Sequence, residues 1–154
     1  MKPTNRFVAA AFAMTMAWTL VLVFGASAKP APDKHPAYLH ALGNLRYARA
    51  LMAHPDSPVL HDPEKAAMDE IDQAIAELKA AGIDDGKSLD DHPGIDSHLR
   101  WIPRLNKAAD VLNKAHDDVQ KEQDDAAMQG LQGRILEHIG KAHRHVEEAI
   151  ATEQ

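Results

Sequence analysis

The chain has 154 residues, with 17 Lys and Arg against 23 Asp and Glu, ten histidines and no cysteine. That length suits one domain built on one core, and the lack of cysteine excludes disulfides, a lipoprotein anchor and covalent c-type haem, leaving packing as the source of stability. A net charge of −6 argues against nucleic acid and anionic membranes, whose phosphates are met by basic patches, and leaves cations as the better-matched partners.

Residues 1–28 read as a secretory signal peptide. Lys2 and Arg6 precede an uncharged apolar run from Phe7 to Phe24, and Ala26-Ser27-Ala28 has the small residues that signal peptidase cuts after. The expectation is export by the general secretory route, to the periplasm or beyond, with Lys29 as the new N-terminus. The competing reading is an uncleaved N-terminal anchor, because the run approaches the length that spans a bilayer. Without this segment 15 basic side chains face 23 acidic ones, a net charge of −8.

Residues 29–35, Pro-rich and polar, form an extended leader. Helix one is predicted from Pro36 to about His54, with Tyr38, Leu42, Leu45, Arg49 and Met52 on one stripe. Pro55 and Pro58 end it, and Asp62-Pro63 reads as an N-cap followed by a first-turn proline. Helix two follows from Pro63 to Ala81, with Met68, Ile71, Ile75 and Leu78 inward. Gly82 reads as a left-handed stop with Ile83 as its apolar contact.

The longest connection follows, with four aspartates among residues 83–95. Helix three should start between Ile95 and Pro103 and end near Glu122, burying Ile102, Leu105, Ala109, Leu112, His116 and Val119, with Pro103 opening the regular part or kinking it. Helix four, capped by Asp124 or Asp125, runs from Ala126 to about Ala151. Its inward positions are Met128, Leu131, Ile135, Ile139, Ala142, Val146 and Ala149 or Ile150. Residues 36–152 therefore read as an all-α antiparallel four-helix bundle, most simply up-down-up-down.

Three polar residues fall on or beside the core stripes. Arg49 and His116 are read as interior, and burying a guanidinium requires a carboxylate, for which Asp72 is the first choice and Asp69 the second. If that pair is buried, replacing Arg49 with alanine costs about 3 to 5 kcal/mol. In an up-down-up-down path His35, His40, His92, His98, His143 and His145 share one end of the bundle. His40, His92, His98 and His145 are then candidate ligands for Zn, Cu or Ni, with Asp90, Asp91 or Asp96 to complete the shell. Against this, no two histidines have the i, i+4 spacing that places both on one ion.

Other chemistries are weaker. A b-type haem would need His98 or His116 opposite Met52 or Met128. Residues 84–91 lack the alternating ligands and final glutamate of an EF-hand, and Ser57, Ser88 and Ser97 lack the context of an activated nucleophile. The Glu-x-x-His pattern of di-iron bundles is missing. No catalytic residue is assigned, and the chain reads as a non-enzymatic binding protein of unknown ligand, its acidic faces open to a protein partner or cations, with a histidine-rich Zn, Cu or Ni buffering protein as the alternative.

Several segments resemble a group of small, functionally uncharacterised exported bacterial helical-bundle proteins. They are His35-Pro36-Ala37-Tyr38-Leu39-His40-Ala41-Leu42 with Leu45-Arg46 and Ala48-Arg49, Glu70-Ile71-Asp72-Gln73-Ala74-Ile75, Asp84-Asp85-Gly86-Lys87 and Asp91-His92-Pro93. The resemblance implies an exported helical domain and supplies no catalytic residue.

Overall fold

Each predicted helix forms, for reasons local to it. The computed structural model describes residues 35–53, 61–126 and 128–152, and within them the helices are α1 (Pro36–Met52), α2 (Asp62–Ala80), α3 (Trp101–Lys121) and α4 (Leu131–Thr152), with no strand. Prolines in the first turns of α1 and α2 remove N–H groups that would have no intrahelical partner. Pro103 is the third residue of α3, where its missing N–H and fixed φ fit the first turn, so it opens the helix instead of kinking it. The expectations for residues 1–34, for His54 and for Pro55 and Pro58 lie outside the described residues.

Gly82 stops α2 as expected. Its φ is +81°, its N–H donates to the Lys79 carbonyl, and the Ile83 N–H donates to the Leu78 carbonyl while the Ile83 side chain is buried. Other helix ends are completed by neighbours. The Ala37 N–H at the start of α1 donates to Glu122 Oε2 at 3.0 Å, and Asp124 accepts both the Tyr38 hydroxyl at 2.6 Å and the Gln132 N–H at the start of α4. Gln132 Nε2 in turn donates to the carbonyls of Val119 and Glu122, closing the end of α3. Burial, together with the bond to Asp124, drives the Tyr38 phenol above its ordinary pKa.

The four helices form an antiparallel bundle in which α1 packs on α2 and α3, and α4 on α2 and α3. Cross-helix contacts give the directions. Ala37 meets Glu122 and Asn44 meets Asp118, so α1 and α3 are antiparallel; Glu70 meets His138 and Glu77 meets Arg134, so α2 and α4 are too. Consequently α2 and α3 point the same way across one diagonal. The path is up-down-down-up, in place of up-down-up-down.

The physical reason lies in the connection from α2 to α3. Residues 82–100 leave α2 beside the start of α1, where Ile83 and Asp84 share a hollow with His35 and Leu39. They then climb along α1, with Asp85 at Arg46, His92 at Tyr47 and Ile95 near Ala53. This crossover delivers the chain to the opposite end, where α3 begins.

The core joins leucines, isoleucines and small alanines from all four helices. On α4 it takes Leu131, Ile135, Ile139, Ala142, Val146 and Ala149, and on α2 Ala67, Ile71, Ala74, Ile75 and Leu78, with Met68 partly covered. On α3 Leu105, Leu112 and Val119 are buried as the apolar spacing predicts, but the positions between them fall one residue earlier than it suggests. Ala108 and Ala115 are inside, while His116 has a side chain 38% exposed beside Asp117 and is not a buried polar residue. The alanines win because they let helices approach closely where an imidazole would hold them apart.

Candidate functional site: a cleft between the first helix and the crossover

The buried cation of α1 is Arg46, three residues before the arginine that periodicity selects. Arg46 is 2% exposed, and its Nη1 and Nη2 donate to Asp85 Oδ1 and Oδ2 at 2.8 and 2.6 Å in a bidentate pair. That bond raises the Arg46 pKa and, with the Lys87 backbone N–H also donating to Asp85, holds the Asp85 carboxyl down at about 2. Gly86, at φ +71°, makes the tight turn that presents Asp85 to the helix. Arg46 sits on a flank of α1 that helix packing leaves open, and the crossover covers it.

Arg49 does pair with Asp72, its Nε 2.6 Å from Oδ1, and Asp69 is not needed. The pair is not buried, however. Its side chains are 28% and 43% exposed, because it bridges the seam between α1 and α2, which touch less closely than the other neighbouring helices.

Above the Arg46–Asp85 pair, α1 and the crossover enclose an open cleft of about 790 Å³. Leu39, His40, Gly43, Asn44 and Tyr47 line it from α1, Lys87, Asp91, His92 and Pro93 from the crossover, and Asp118 from α3. The rings of Tyr47 and His92 lie stacked, their centroids 6.4 Å apart. His92 Nδ1 lies 2.9 Å from the Pro93 carbonyl, which can only accept, so the ring is oriented by donating to it.

The charges here are arranged unevenly. Arg46 and Lys87 both lean on Asp85, Lys87 Nζ lying 3.9 Å from Oδ2, and the Asp91 and Asp84 carboxylates also act on Arg46. Asp118 is balanced by Lys121 at 3.0 Å and accepts from Asn44. The exposed Asp91 carboxylate has no salt bridge or hydrogen bond among the described residues.

The four histidines proposed as a metal site do not assemble into one. Among the described residues no three His, Asp or Glu side chains are placed to hold a single ion. His40 and His92 share the cleft, His98 lies in the turn before α3, and His145 pairs with Glu148 on α4, a helix that α1 does not touch. The crossover is again the cause. It puts the start of α3 and the end of α4 at the opposite end from His35 and His40, so the six histidines are divided between the two ends. The haem pairings fare no better, since Met52 is fully buried whereas His98 and His116 turn to the surface.

The residues that build the cleft are ones the apolar spacing passes over. Their signal in the sequence is the length of the crossover, since structureless connections beyond about 12–15 residues usually carry function. The chain matches no protein-family model, and no curated protein or solved structure is detectably similar to it.

Proposed function

We propose that this chain is an exported, non-enzymatic helical-bundle binding protein whose ligand site is the cleft between α1 and the crossover. The observation that carries the reading is the cleft itself, whose volume lies in the range of small-molecule sites, about 300–1,000 Å³. Its floor is a bidentate ion pair that ties the long connection to a helix, so its walls are preorganised. Arg46 and Asp85 hold each other in their charged forms, which fixes the crossover against α1. Export rests on the Lys2-to-Ala28 signal pattern.

Two measurements test this. Intact mass of the protein recovered from the periplasmic fraction should correspond to a chain starting at Lys29; a full-length chain in the membrane fraction would replace export with anchoring. Nitrogen–proton NMR spectra recorded against a fragment library should show hits that shift amides of Gly43, Tyr47, Lys87 and His92. Hits that shift residues elsewhere, or no hits, would remove the cleft as a binding site.

A further inference from the structure

We infer that the peptide bond between Asp85 and Gly86 is a covalent modification site, a place where an isoaspartyl link forms, which the grip of Arg46 keeps unreactive in the folded chain. Isomerisation there follows release of the crossover and prevents its return.

The chemistry is that of an aspartate followed by a glycine. The Gly86 backbone nitrogen attacks Cγ of the protonated Asp85 carboxyl, a C–N bond forms, and the carboxyl hydroxyl leaves as water with the amide proton. Water then opens the resulting cyclic imide. Breaking the bond from nitrogen to Cγ restores aspartate, whereas breaking the bond from nitrogen to the Asp85 backbone carbonyl carbon leaves the main chain running through the side chain. Glycine hinders the attack least, and this is the one Asp-Gly pair in the sequence. The turn keeps it there, since Gly86 has a φ of +71°, a region that side chains disfavour.

Three features of the fold oppose that attack. Arg46 holds Oδ1 and Oδ2 of Asp85 at 2.8 and 2.6 Å, and the Lys87 backbone N–H donates to Oδ1 at 3.2 Å, so Cγ is not free to swing onto the next nitrogen. The Gly86 N–H itself donates to Asp84 Oδ1 at 3.0 Å. The reaction also needs the neutral carboxyl, and ionisation at about 2 against 3.8 ordinarily makes that form roughly fiftyfold rarer at neutral pH than in the unfolded chain. Once the isoaspartyl link has formed, the main chain is one carbon longer and the carboxylate sits directly on Cα. It then no longer reaches a guanidinium that is 2% exposed, and the crossover stays off α1. Asp96 with Ser97, in the same crossover, is an internal comparison. Such a pair reacts more slowly than Asp-Gly in an open chain, but Asp96 is exposed, accepts the His98 N–H and has no salt bridge among the described residues.

The test is to hold the purified protein at neutral pH for several weeks, folded in buffer and unfolded in guanidinium chloride. Isoaspartate at residues 85 and 96 is then counted by mass spectrometry, after digestion with a protease that cuts before aspartate but not before isoaspartate. In the unfolded chain Asp85 should react faster than Asp96. In the folded protein the order should reverse, with Asp85 slowed at least about tenfold. Arg46→Gln, or Arg46→Lys where the first does not fold, should restore most of the Asp85 rate and leave Asp96 as it was. An unfolded chain in which Asp85 is no faster than Asp96 removes the site. Folded protein that isomerises at Asp85 as fast as the unfolded chain overturns the protection, and so does an Arg46 variant that unfolds cooperatively yet stays as slow as the parent. An isoaspartyl form that refolds and melts at the parent's temperature overturns the lasting release of the crossover.

Discussion

Asp85 holds both arms of a guanidinium that has almost no contact with water, and this one carboxylate ties the crossover to α1. Its carboxyl ionises at about 2 in the folded protein against 3.8 ordinarily. A depressed pKa contributes stability that is complete above the unfolded value and is lost as pH falls through the folded one. The contribution is therefore present above about pH 4 and disappears towards pH 2, and a shift of this size corresponds to about 2 kcal/mol. Denaturant unfolding of the parent and of Asp85→Asn from pH 6 to pH 2 should show the gap between them narrow by that amount. A constant gap would mean that Asp85 is not held in this pair. Arg49→Ala, by contrast, should cost no more than about 1 kcal/mol at neutral pH, because its pair with Asp72 is open to solvent. Arginine and aspartate of the right types were visible in the sequence, but two arginines three residues apart differ in burial only through what covers them.

At the scale of elements, the helices with broad, unbroken apolar stripes were the most legible. On α2 and α4 the spacing alone picks out Ile71, Ile75, Leu78, Ile135, Ile139 and Val146, all buried. On α3 the spacing also picks out Leu105, Leu112 and Val119, but at the positions between them it selects Ala109 and His116 where Ala108 and Ala115 are buried, since alanine packs at the closest approaches yet weighs little in a hydrophobic count. Stop signals with a backbone cause were also legible. Gly82, at positive φ, and Gly43, in ordinary helical geometry with open space around it, should respond oppositely to alanine. Gly82→Ala should lower stability by about 1–2 kcal/mol, whereas Gly43→Ala should raise it by up to about 1 kcal/mol. Paired thermal melts measure both. Stabilisation by Gly82→Ala would show that the turn is not left-handed.

For the whole molecule, the decisive feature is that the long connection crosses from one end of the bundle to the other. Because the chain has no cysteine, pairs can be introduced without competition. Cysteines at Ala37 and Glu122, which touch across α1 and α3, should be joined by a short bifunctional maleimide. Cysteines at Ala37 and Arg100 should not, since α3's 21 residues separate its ends by about 30 Å. The reverse result would restore the up-down-up-down path. The sequence by itself determined four amphipathic helices, their stops and the all-α bundle, because hydrophobic period, proline and glycine act over one or two turns. Tertiary structure alone decided the order of the helices, which arginine of α1 is buried, the separation of the histidines and the existence of the cleft. Each of these depends on where the crossover lies, and a polar connection without a period carries its destination only in the partners it meets, such as Arg46 for Asp85 and Tyr47 for His92.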